Sequence, residues 1–208
     1  QQPFARWIPE ADLKYHADAI RRLLDMRALL PAPSTPVEVE VGSNRGRFLR
    51  GLCAGRPDAH FLGLELKRSL CDVANRRLAR HDLPNGQALH VDARLCLPIF
   101  FHDRPLQGLY VLFPDPWWKK RHARRRLLDV PFLSMVHDLM PPGAHFVLKT
   151  DVQFYLDASR EVFDALPGKF TPIQREDIPG SDAWLHTTRE RHCIADGTPF
   201  YSLLMRRI

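Results

Sequence analysis

The sequence predicts an α/β fold: a doubly wound, mostly parallel sheet in a single domain with an N-terminal helical leader. Three observations carry this. The chain of 208 residues, 45% apolar and 26% charged, is long enough for one such domain with a proper core and short for two. From residue 37 onward, short apolar runs alternate with amphipathic segments, the pattern of βαβ units joined by right-handed crossovers. An acidic residue stands near the end of each of the first five apolar runs, at the edge where open parallel sheets bind ligands.

Taken in order, "ADLKYHADAIRRLLDM" (11–26) has apolar positions at helical spacing and predicts one amphipathic helix. "PAPSTP" (31–36) reads as a Pro-rich hinge, so residues 1–35 form a leader and 36–208 the main domain. "VEVEV" (37–41) is a strand, and the segment around "RGRFLRGLC" opens a helix. "HFLGLEL" (60–66) is a second strand, followed by a helix over 68–81. "QALHVDA" (87–93) and "LQGLYVLF" (106–113) are the third and fourth strands. A helix over 127–140, a fifth strand "GAHFVLKT" (143–150) and a helix over 151–166 follow. "KFTPI" and "TPFYSLLMRR" are expected as late edge strands.

No apolar run approaches the roughly 20 residues of a membrane span. The opening "QQPFARWIPE" lacks the regions of a secretion signal, so a cytoplasmic location is the expectation. Cys53, Cys71, Cys96 and Cys193 make no C-x-x-C pair and are expected as buried thiols of a reducing compartment. No histidine shows ligand spacing, and no metal is expected. Lys and Arg total 30 against 24 Asp and Glu, a net charge of +6 and a pI near 9.4. That excess is modest, but six of the cations fall between Lys119 and Arg126, which points to nucleic acid.

The acids at strand ends are Glu40, Glu65, Asp92, Asp115 and Asp151. Any one of them could be a helix N-cap or a solvated loop acid; together they outline a rim. The first loop, "GSNRG", places Gly42 and Gly46 four apart with Asn44 between them, which is not the G-x-G-x-x-G cradle of a dinucleotide. Glu65 is suited to accept hydrogen bonds from ribose hydroxyls, and Asp92 to lie near an adenine. A nucleoside without phosphates fits such a rim, and S-adenosylmethionine, with cationic groups for Glu40, is one. Downstream, "FPDPWWKKRHARRR" (113–126) joins a proline-flanked aspartate to two tryptophans and the basic run. Pro114 and Pro116 fix φ on both sides of Asp115. Trp117 and Trp118 are suited either to core packing or to stacking on a base.

The segments "VEVEVGSNRGRFL", "FLGLEL", "VDA", "FPDPWWKKRHARRRL", "LKTD" and "TTRE" stand in the order and spacing of the bacterial tRNA (guanine-N7)-methyltransferases, which the chain resembles over roughly residues 36 to 207. The resemblance implies a Rossmann-like class I methyltransferase that uses S-adenosylmethionine and acts on a tRNA guanosine, the variable-loop one in that family. It implies cofactor contacts at Glu40, Gly42, Glu65, Asp92 and Asp115, with Asp115 also catalytic. It implies tRNA contacts at Lys119, Asp151, Thr187, Thr188 and Glu190, and the position of Arg124 and Arg125 in the basic run suits phosphates. No obligatory protein subunit is expected, whether the chain is a monomer or a homodimer. Two positions depart from the family: Asn44 stands where glycine is usual, and Arg189 where an aromatic is usual. Guanine N7 carries an in-plane lone pair and no proton, so the chemistry asks for positioning and charge stabilisation rather than a strong base. Two other readings compete: an amino-methyltransferase, and a non-catalytic RNA-binding subunit with a decayed cofactor loop.

Overall fold

A computed structural model describes residues 2–28, 30–117 and 126–208. The leader contains a 3₁₀ turn at Pro3–Trp7 and two helices, α1 (Glu10–Tyr15) and α2 (Ala17–Arg27). The single helix expected over 11–26 is therefore broken at His16, whose φ of −103° and ψ of 20° leave the helical region. The break turns Ile20 and Leu23 of α2 into the core while Tyr15 stays 84% exposed.

The main sequence then runs β1 (Val37–Val41), α3 (Arg47–Gly55), β2 (His60–Glu65), α4 (Arg68–Arg80), β3 (Gly86–His90), α5 (Ala93–Phe101) and β4 (Gly108–Leu112). It continues through α6 (Val130–Leu139), β5 (His145–Thr150), α7 (Gln153–Asp164), β6 (Phe170–Pro172), α8 (Thr188–Asp196) and β7 (Tyr201–Arg207). The seven strands form one sheet in the order β3-β2-β1-β4-β5-β7-β6. β1 to β5 pair in parallel, and β7 pairs antiparallel with both β5 and β6. β7 is thus an interior strand, and of the two late strands expected at an edge only β6 is there. The switch in order comes between β1 and β4, so ligands are expected where the loops after these two strands part.

Alternation along the strands sorts the core into two layers. Val39, Leu62, Leu109, Val111 and Phe146 point to the layer built with α2, α5, α6 and α7. Phe61, Tyr110, Leu112 and Val147 point to the opposite layer, with Phe48 and Leu52 of α3, Ala74 and Leu78 of α4, and Trp184. The leader belongs to the first layer: Phe4, Ile8, Ile20 and Leu23 are buried there against the same cluster as the strands. Two helices were not evident in the sequence. α5 is buried along its whole described length apart from Arg94 and contains Pro98, so it shows no polar face from which a helical period could be read. α8 was assigned no element from the sequence, yet Thr187 and Glu190 form a reciprocal capping box that starts it, and Gly197 ends it at φ 67°.

On the α3–α4 side of the sheet, Glu38 ties three strands together. Tyr110 donates its hydroxyl to Glu38 at 2.6 Å, His145 Nε2 lies 2.8 Å from the same hydroxyl, and Arg56 reaches the other carboxylate oxygen at 2.5 Å. Burial alone would raise the Glu38 carboxyl, but the hydrogen bond and charge of His145, with Tyr110 and Arg56, hold it below its ordinary value.

Candidate active site

The loop after β1 is shaped by backbone conformations that few residues adopt. Gly42 has φ 76° and Gly46 φ 66°, and a Cβ at Gly46 would stand 2.7 Å from the Cβ of Ala74. Asn44 also lies in the left-handed region, with φ 50°. Asparagine is the non-glycine residue that tolerates this best, so the chain keeps here the backbone that a glycine would supply. Asn44, the one feature favouring a decayed cofactor loop, does not distort it. Within the loop Ser43 is buried, and its Oγ has no partner among the described residues.

Glu40 is one residue before the end of β1 and 3% exposed. Burial pushes its carboxyl up to about 8; a backbone N–H at Leu49 opposes the rise and the charge of Glu65 adds to it. Oε2 of Glu40 has no hydrogen-bond partner among the described residues. A buried carboxyl with one oxygen unpartnered, on a cleft wall, fits a cationic ligand, since an opposite charge restores what burial removes.

Two clefts open at the carboxyl ends of the strands and share a wall. The first, about 450 Å³, is lined by Glu40, Ser43, Arg45, Arg47, Phe48, Asp115, Asp151, Thr187, Thr188 and Arg189. The second, about 380 Å³, is lined by Glu65, Leu66, Leu70, Val91, Asp92, Trp117 and Leu127. Gly42, Asn44, Leu112, Phe113, Pro114 and Asp115 line both. Glu65 takes the backbone N–H of Asn44 and of Lys67, each at 3.0 Å, one on each oxygen. This fixes the carboxylate while leaving lone pairs for hydroxyl donors. Asp92 caps α5 by accepting the Arg94 N–H at 2.8 Å on Oδ1. It is therefore both an N-cap and a cleft residue, two roles that were weighed as alternatives in the sequence.

Asp115 is exposed and stands on the shared wall. Its loop begins and ends in the left-handed region, at Phe113 (φ 52°) and Trp117 (φ 44°). For bulky residues such conformations cost on the order of 1–3 kcal/mol each, and they persist where surrounding structure demands them. Phe113 donates its N–H to Lys149 O at 2.7 Å, and Arg126 donates to the carbonyls of Pro116 and Trp117 at 3.2 and 3.3 Å. Arg94 anchors the far side, donating to the carbonyls of Arg126 and Leu127 and to Asp129. Trp117 is half-buried on the wall of the second cleft. Trp118, Lys119, Arg124 and Arg125 lie outside the described residues.

At the other rim, Lys149 forms a buried ion pair with Glu190 at 2.6 Å. Burial would raise the Glu190 carboxyl, but Lys149 and the Thr187 backbone outweigh it and lower it. Glu190, expected to meet tRNA, is only 1% exposed and closes the capping box of α8 by accepting the Thr187 N–H at 2.7 Å. Asp151 is paired with Arg189, whose Nε lies 2.8 Å from Oδ2. The departure from an aromatic at 189 thus places a cation beside Asp151 on the cleft. Thr187 and Thr188 line the first cleft directly. Ser43, Arg47, Phe48 and Arg94 were not singled out in the sequence. Ser43 and Arg47 sat within or beside the glycine loop, whereas Arg94 acts on residues more than thirty positions away and left no local signal.

A family model described as "Putative methyltransferase" matches residues 34–203. A protein of Anaeromyxobacter dehalogenans named tRNA (guanine-N(7)-)-methyltransferase is 34% identical over 198 residues, covering 90% of this chain and 94% of that protein. One of the same name from Thermosynechococcus vestitus is 32% identical over 177 residues, covering 85% and 83%. Among solved structures, an rRNA methylase from Streptococcus thermophilus shares the fold with a TM-score of 0.54 at 13% identity, over 89% of this chain and 93% of that one. With the motif-bearing loops gathered at one edge of the sheet and these relatives matching nearly the whole chain, the chain belongs to the tRNA (guanine-N7)-methyltransferase family.

Proposed function

We propose that this chain transfers a methyl group from S-adenosylmethionine to N7 of a guanosine in tRNA, the variable-loop guanosine. The observation that carries the reading is the position of Asp115 on the wall between two clefts of different character. The second cleft joins apolar side chains, Leu66, Leu70, Val91 and Leu127, to the carboxylates Glu65 and Asp92, which suits an adenosine. Glu65, pinned by two backbone donors, is set to accept from ribose hydroxyls, and Glu40 offers its unpartnered oxygen to a cationic group. When bound, S-adenosylmethionine supplies a methyl carbon activated by its sulfonium.

The chain's own task is to hold the guanine in line and to stabilise the positive charge that its ring acquires. Asp115, with acceptor oxygens only, matches the N1–H and 2-amino donors that guanine has and adenine lacks at those positions. Its negative charge stabilises the ring as it becomes cationic, and no proton has to be removed from N7. Thr187, Thr188 and the Asp151–Arg189 pair line the same cleft.

Asp115→Asn tests the assignment. Turnover on unmodified tRNA should fall by about 100-fold or more, the usual scale for losing one transition-state electrostatic contact. Calorimetry should still detect S-adenosylmethionine binding. An unchanged kcat would remove Asp115 from the chemistry. Aniline cleavage after labelling with S-adenosylmethionine identifies the guanosine: a product cut outside the variable loop would refute that site.

A further inference from the structure

The most conspicuous charge in the sequence is the 119–126 run, but the fold builds another cation cluster from residues scattered along the chain. Arg45, Arg47 and Arg50 come from the loop after β1 and from α3, Arg77 from α4 and Arg191 from α8. Three of the five are held by partners other than carboxylates. Arg47 Nε donates to the carbonyl of His186 at 2.8 Å, and Arg77 to the carbonyl of Arg45 at 2.8 Å. The Arg50 guanidinium lies 2.9 Å from Nε2 of His81.

Among the described residues none of these five arginines makes an ion pair, whereas Arg27, Arg56, Arg94, Arg160 and Arg189 each have a carboxylate partner. Like charges gathered without counter-charge oppose folding. Burial lowers the Arg47 guanidinium first, and the nearby charges of Arg191, Arg50 and Arg77 add to the lowering. A polyanion lying across the cluster would relieve that repulsion.

We infer that this α3–α4–α8 arginine face binds the sugar–phosphate backbone of the tRNA, as a grip on the opposite side of the sheet from Arg126. The inference rests on the proposed reading that tRNA is the substrate. Two placements favour RNA as the occupant. Arg45 and Arg47 line the same cleft as Asp115, so whatever strand delivers a base there passes the cluster. Arg126, the described end of the basic run, lies instead over Phe154 of α7, in the helical layer on the other face of the sheet. A strand whose nucleotide enters between the two layers leaves in both directions, and one direction meets the arginine face while the other meets Arg126. The planar guanidinium fork suits phosphate at each contact.

The test uses Arg50→Gln/Arg77→Gln/Arg191→Gln, three residues that line neither of the two clefts. Binding to an unmodified tRNA transcript is measured against salt, alongside steady-state kinetics and calorimetry with S-adenosylmethionine. The slope of log K against log salt should shrink by about 2 to 3, since each lost phosphate contact removes roughly 0.7–0.9. The KM for tRNA should rise at least about tenfold while kcat stays within about twofold. The matching Lys triple variant, which keeps the charge, should retain the slope. Because Arg77 also holds a loop carbonyl, Arg50→Glu/Arg191→Glu serves if the first variant does not fold. A wild-type slope and KM in the neutralised variant, or the same loss in the Lys variant, would overturn the inference. Failure of the wild-type protein to methylate any tRNA refutes the functional reading instead.

Discussion

Glu38 and Glu40 stand two residues apart on one face of one strand and are driven in opposite directions. His145, Tyr110 and Arg56 surround Glu38 and keep it ionised, whereas burial, only partly offset by the Leu49 N–H, pushes Glu40 up to about 8. The consequence for Glu40 follows from linkage. Its folded value lies above its unfolded one, so it weakens the folded state as pH rises from the ordinary carboxylate range toward about 8. A cation placed beside it favours the ionised form, so S-adenosylmethionine should bind more tightly with rising pH until about 8 and then level off. Glu40→Gln should be more stable than wild type near pH 8 yet bind S-adenosylmethionine at least about tenfold more weakly, with no pH dependence from this site. Calorimetry across that pH range checks both; an unchanged affinity would show that Glu40 does not meet the ligand. Glu40, Glu65, Asp92 and Asp115 were legible in the sequence because an acid at the end of an apolar strand needs a reason. Ser43 and Arg94 were not, since a serine in a glycine loop is ordinary and the partners of Arg94 are brought near only by folding.

α8 shows how an element can be present in the sequence and still escape notice. T-x-x-E marks a helix start, but in the sequence the segment "TTRE" stands out for the tRNA contacts that the family resemblance implies. The structure joins the two ideas: the cap orients Thr188 and Arg189 along the cleft, and Glu190 anchors the cap to β5 through Lys149. Thr187→Ala should cost about 1 kcal/mol of stability, the usual value of an N-cap. It should also raise the KM for tRNA more than it lowers kcat. Glu190→Gln leaves Lys149 buried without a counter-charge and should cost more, about 3–5 kcal/mol. Denaturant titrations of both variants order these effects; equal losses would mean that the ion pair adds nothing to the cap. α5 escaped for a different reason. A helix with so little polar surface offers no period, and it also contains a proline, Pro98.

Across the whole molecule, the parallel half of the sheet was readable and the antiparallel end was not. Alternating strands and helices dictate right-handed crossovers, but nothing local in "YSLLMRR" says that it inserts between β5 and β6. The strands are held in common by the Glu38 cluster, which spans β1, β4 and β5. Glu38 has a lowered folded value, so its contribution is present above the ordinary carboxylate range and is lost as pH falls through that lower value. Glu38→Gln should therefore destabilise the protein at neutral pH and flatten the acid limb of the stability curve. Urea midpoints measured between neutral and acid pH test this, and an acid limb as steep as in wild type would contradict it.

The Phe113–Trp117 loop has one more implication. A segment whose two ends are confined to sparsely populated backbone conformations, with two prolines between them, has few other shapes to visit in the free protein. Its configurational freedom is given up when the chain folds rather than when RNA arrives. On the proposed role of Asp115, recognition there carries little ordering entropy, and the temperature dependence of guanosine capture should reflect the motions of the RNA rather than those of the enzyme.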